Sequence, residues 1–169
     1  MAKTLFKIAK NLNFALAIIG LLIFTSALPT HNLLTKNLLF IIGATLLAIS
    51  SYFEKEYFFA NLELIAIINA VLVILKIPTY LNTLILIILV LVVIFAISKN
   101  HKITNQLLIG FSGLILLSLG IIFVSNIAML IAGIMLVIYS LLSIKSGFKV
   151  GWVFLILNII FTTIAILQL

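Results

Sequence analysis

The chain has no cysteine, no arginine and no aspartate, and its 169 residues include only three acidic side chains, Glu54, Glu56 and Glu63. Each absence removes a class of function. Without cysteine there is no disulfide, no thiolate nucleophile and no thiolate metal ligand. His31 and His101 are the only histidines and have too few carboxylates to accompany them, so zinc and haem sites lack their ligands. No serine, histidine and aspartate set can be assembled, and no glycine-rich phosphate loop is present. These shortages read as a protein that is not an enzyme and needs no cofactor; chemistry on lipid is disfavoured on the same ground. The net charge of +7 rests on lysine alone. A nucleic-acid surface needs clustered basic residues, usually with arginine, on an exposed fold, and this pattern does not supply one.

What the chain has instead is apolar length. Hydrophobic residues make up 66% and charged residues 8%, with a mean hydropathy of +1.50, far from the usage of a soluble domain. A bilayer core of about 30 Å requires about twenty apolar residues in a helix. Seven such stretches fit, at 11–28, 37–52, 57–75, 80–98, 106–124, 127–144 and 150–169. The expected class is therefore an all-α integral membrane protein with seven transmembrane helices, preceded by a basic cytoplasmic segment, 1–10. Each break has a chemical cause. Pro29, Thr30, His31 and Asn32 make the first, Glu54, Lys55 and Glu56 the second, and Lys76, Ile77 and Pro78 the third. Lys99, Asn100, His101 and Lys102 form the fourth, and Lys145 to Lys149 the sixth. The fifth, Ser125 and Asn126, is the weakest and leaves a kinked or re-entrant segment open.

Lysine placement sets the orientation, because cytoplasmic loops carry the excess of basic residues. With the N-terminus inside, Lys3, Lys7, Lys10, Lys55, Lys99, Lys102, Lys145 and Lys149 fall on the cytoplasmic side, leaving Lys36 and Lys76 on the other. Seven spans put the C-terminus outside. The first span resembles a secretory signal, but cleavage would spoil this alternation, and it reads as an uncleaved anchor. Lysine without arginine, with abundant isoleucine and asparagine, suits an A/T-rich bacterial genome and hence a bacterial cytoplasmic (inner) membrane.

Self-similarity places the first three spans over the last three, with the fourth alone. Gly20 aligns with Gly113, Gly43 with Gly133, and Asn69 with Asn158, at displacements of 93, 90 and 89 (113 minus 20, 133 minus 43, 158 minus 69). The triplets are then 11–75 and 106–169, joined by a linker span at 80–98, and both begin on the same side of the membrane. This order resembles the SWEET sugar facilitators, their half-size bacterial relatives and the PnuC vitamin transporters. The resemblance implies a 3+1+3 fold in which the third and seventh helices each present a midplane asparagine to the substrate, the places held here by Asn69 and Asn158. It covers the whole chain but not every motif: no proline–glutamine pair occurs, and Pro29 and Pro78 lie in loops.

Polar groups in the apolar spans are the site candidates, since an amide in hydrocarbon needs a partner. Asn69 shares a helix face with Leu62, Ala66 and Val73, and Asn158 with Gly151, Phe154 and Thr162. Either asparagine fits a substrate contact or a structural bond to a neighbouring helix. Tyr139, Ser140 and Ser143, with Ser50, Ser51 and Tyr52 in the other triplet, are further hydrogen-bonding candidates. Glu63 is the only acid within a span. It fits a snorkelling group, a partner for a loop lysine, the wall of a wet vestibule, or a proton-coupling residue; its counterpart at the expected displacement is Trp152, an interfacial aromatic. Gly110, Gly113 and Gly120 read as a packing face.

Two functions follow. The first is a small facilitator-type transporter passing a small polar metabolite through a midplane site between two helix bundles, with Asn69, Asn158, Tyr139 and Thr162 binding substrate. The second is a non-transporting scaffold or accessory subunit packing against other membrane proteins. The implied partners are the lipid bilayer, a small polar solute and, by the family resemblance, further copies of the chain.

Overall fold

The computed structural model describes residues 2–100, 103–123 and 125–169, with side chains from 11 onward apart from 100, 121 and 122. His101, Lys102 and Val124 lie outside the described residues. The described chain is helical with no strand: α1 (Ala2–Ser26), α2 (Leu33–Phe53), α3 (Tyr57–Ile74), α4 (Thr79–Asn100), α5 (Asn105–Ile122), α6 (Asn126–Lys145) and α7 (Val150–Leu167). Five of them, α2, α3, α4, α6 and α7, are long and apolar enough to cross a membrane, while α1 and α5 contribute the shorter apolar stretches Asn11–Ser26 and Asn105–Gly120. Large apolar side chains face outward along these helices; Phe95 is 70% and Phe53 69% exposed. Apolar surface of that extent suits lipid or another apolar surface better than water.

The helix ends follow from their residues. Asn32, Thr104 and Ser125 each accept a hydrogen bond from the backbone N–H three residues on, at 3.0, 3.3 and 3.3 Å, satisfying a donor that the first turn leaves open. Ser125 thereby turns the weakest expected break into a clean helix start. At the other end, α2 closes with Glu54 N–H donating to Ser50 O and Glu56 N–H to Ser51 O, with Lys55 at φ 63°. The end of α6 repeats the pattern: Ser146 N–H donates to Leu142 O and Phe148 N–H to Ser143 O, with Gly147 at φ 92°. Both are left-handed terminations that satisfy the last carbonyls and reverse the chain tightly. Lys76 adopts φ 55° just after α3, and Pro78 disfavours helical geometry at Ile77 before α4 begins at Thr79.

The chain divides into two compact units, Met1–Leu75 and Lys76–Leu169. In the first, α2 packs against both α1 and α3; in the second, α6 packs against both α5 and α7, and α4 touches α5. Short connections make these neighbours antiparallel hairpins. Glycine sets the closest approaches. A side chain at Gly43 would meet the Phe24 backbone N at 2.6 Å, so α1 and α2 touch there nearly backbone to backbone.

Candidate functional site

Each unit encloses its own set of polar groups. In the second, Asn158 on α7 donates from Nδ2 to Ser140 Oγ at 3.1 Å and to Leu136 O at 3.4 Å, both on α6. Ser140 Oγ in turn donates to Leu136 O at 2.7 Å, and Thr162 Oγ1 donates to Asn158 O at 2.6 Å. Asn158 is 5% exposed, Tyr139 is 1% exposed on the same helix as Ser140, and Thr162 lies against Gly133. The structure thus joins Asn158, Thr162 and Ser140 through bonds between and along two helices. Ser143 Oγ is buried nearby in sequence without a hydrogen-bond partner.

In the first unit the tie between helices is made by Asn13, an amide nearer the end of its apolar run than the middle. Asn13 Nδ2 on α1 donates to Ser50 O at 3.1 Å, and Ser50 Oγ donates back to Asn13 O at 3.0 Å. Both residues are buried, and Ser51 Oγ donates to Leu47 O at 2.8 Å beside them. Asn13 Oδ1 and Glu63 Oε2 are acceptors buried with no partner. Glu63 is 2% exposed, so it does not snorkel to the surface. Asn69 lies on the same helix six residues on, half-buried, on a different face. Trp152 is 53% exposed near the start of α7, as an interfacial aromatic is. His31 is exposed in the α1–α2 connection. No cluster of metal-ligating side chains occurs among the described residues.

Some buried positions of the first three helices recur at similar displacements in the last three. Ala17, Gly20 and Leu21 on α1 and Ala27 just after it are buried, as are Gly110, Gly113, Leu114 and Gly120 on α5, displaced by 93 (113 minus 20). On α2, Ala44, Leu47, Ala48 and Ser51 match Leu136, Tyr139, Ser140 and Ser143 on α6, displaced by 92 (143 minus 51), the same displacement as the two helix-terminating turns. On α3, Phe58, Phe59, Glu63 and Ala70 are 2%, 0%, 2% and 3% exposed; Val153, Phe154, Asn158 and Ala165 on α7, displaced by 95 (158 minus 63), are 2%, 0%, 5% and 3%. These recurrences fall at 93, 92 and 95, against the expected 93, 90 and 89. Gly43 faces Phe24 on α1, but Gly133 faces Thr162 and Phe161 on α7. At 89, buried Glu63 would fall on exposed Trp152. At a displacement of 95 the residue matched to Asn158 is Glu63, and at the expected 89 it is Asn69. The difference has a physical cause: in helices apolar all round, the buried face is chosen by neighbouring helices and leaves little mark on residue type.

Comparison with known proteins gives no matching family model, no matching curated protein and no matching solved structure.

Proposed function

We propose that the chain is a small facilitator-type transporter of a bacterial cytoplasmic membrane. It crosses the bilayer seven times, N-terminus inside and C-terminus outside, in the 3+1+3 order of the SWEET and PnuC families, and passes a small polar metabolite. The observation that carries this reading is the enclosed carboxyl of Glu63. A buried polar group without a hydrogen bond costs on the order of 2–7 kcal/mol, and an ionisable one in a membrane helix marks a pathway more often than a packing contact. The common order of the two triplets and their matched buried positions support two related bundles, which is the architecture of rocking transporters. Solute contact falls first to Asn69 and Thr162, which keep accessible surface, and then to Asn158 and Tyr139, which are enclosed in their own unit.

The scaffold reading has one observation in its favour. Asn158 directs its amide to α6, as a residue that ties helices together does. Reconstituted vesicles separate the two. The full chain, offered a panel of labelled sugars, nucleosides and vitamins, takes up at least one faster than protein-free vesicles, and Asn69→Leu abolishes that uptake while the protein stays folded. Uptake of none of them by the folded protein favours the scaffold.

A further inference from the structure

Glu63 and Asn158 hold corresponding positions in their triplets, and their surroundings treat them differently. Asn158 donates to Ser140 Oγ and Leu136 O. At the displacement of 92, the α2 residues corresponding to Ser140 and Leu136 are Ala48 and Ala44 (140 minus 92, 136 minus 92), which offer no polar side-chain atom. The first triplet thus has a carboxyl where the second has an amide, and it lacks the hydroxyl that engages that amide. Glu63 Oε2 and Asn13 Oδ1 are both acceptors, both buried and both without a donor.

Among the described side chains, which exclude those of Lys3, Lys7 and Lys10, the charged groups of the packed elements are engaged or placed elsewhere. On α2, Lys36 lies over the Phe40 ring at 5.9 Å near the opposite end of the helix, and Tyr52 is 64% exposed. In the connection between α2 and α3, Lys55 is exposed, and Glu54 and Glu56 carry the same sign as Glu63. Tyr57, at the start of α3, is the remaining titratable group of that hairpin. A carboxylate enclosed without counter-charge is not a stable arrangement; it persists with a proton or a cation on it. Calcium takes six to eight oxygen ligands and magnesium six, and the described residues hold no group of three metal-ligating side chains.

We propose that Glu63 is a proton-binding site, taking up one proton from water to pass from carboxylate to carboxylic acid and returning it to water in a later step of the cycle. It couples solute movement to a proton gradient, so that role rests on the transporter reading and replaces passive facilitation with proton-coupled transport by the same bundles.

The test uses the full chain in lipid vesicles with dicyclohexylcarbodiimide, which adds to protonated carboxyls in apolar surroundings, and locates the adduct by mass spectrometry. The expected result is an adduct on Glu63, with Glu54 and Glu56 unmodified and the labelling lost in alkaline buffer. Wild-type Glu63 that stays unmodified at every pH overturns the proposal, and so does labelling that sodium chloride suppresses and choline chloride does not, since an alkali cation then holds the site. These readouts need neither a variant nor a known solute. Once a transported solute is in hand, Glu63→Gln should lose the response of uptake to an imposed pH gradient while downhill movement continues; an unchanged response overturns the coupling. Labelled Glu63 in a protein that moves no solute overturns the transporter reading and with it the coupling role, whereas unlabelled Glu63 in a protein that does move solute overturns the proton site alone.

Discussion

Gly147 is a residue whose role is entirely in its backbone. It adopts φ 92°, and a side chain there would meet nothing within 4 Å, so Gly147→Ala tests conformation without a clash. The alanine variant should be less stable by about 1 kcal/mol, read as a lower thermal midpoint in detergent. Asn158 acts through its side chain. Asn158→Leu removes its bonds to Ser140 and Leu136 and should lower stability by about 1–2 kcal/mol. Because Ser140 is one end of that bond, Asn158→Leu with Ser140→Ala should cost less than the sum of the two single changes, which a double-mutant cycle measures. Asn158 and Thr162 were legible as site candidates because a polar residue deep in an apolar run stands out. Asn13 was not, since an amide three residues into a span looks like an interfacial group until its bond to Ser50, thirty-seven residues away, is seen.

The last five helices were legible to within two residues at each end, since their breaks are written in proline, lysine, glutamate or a capping side chain, whereas α1 starts at 2 rather than 11, taking in the expected basic segment, and α2 starts at 33 rather than 37. The facing of the helices was not legible. Most of each helix is isoleucine, leucine, valine and alanine, and such residues suit a lipid contact as well as a helix contact. Only the small residues mark proximity, and even these mislead: Gly43 and Gly133 look equivalent but serve contacts to α1 and to α7. Glycine substitutions should separate tight from tolerant crossings. Gly43→Ala pushes a methyl group to 2.6 Å from the backbone of Phe24 and should destabilise by about 1–3 kcal/mol. Gly113→Ala meets atoms of the Leu136 and Met135 side chains no closer than 3.2 Å, where small adjustments relieve it, and should cost less. Thermal unfolding of the two variants in the same detergent orders them.

At the scale of the whole molecule the testable quantity is topology. A reporter fused after Leu169 should behave as extracytoplasmic, and one inserted at His101, outside the described residues, as cytoplasmic. Finding both on the same side removes the odd number of spans and the common orientation of the triplets. The pattern of packing also bears on how the chain is made. Within each triplet the middle helix holds both of its chain neighbours, so the principal contacts join helices that leave the ribosome one after the other. Little closure entropy has to be overcome before such contacts form, and assembly can keep pace with synthesis. The α1–α2 hairpin can close before Tyr57 is translated, and α3 can dock before α5 exists. Assembly of this chain is then expected to be a series of local closures, and a pulling-force measurement on nascent chains should record steps as α2, α3, α6 and α7 arrive.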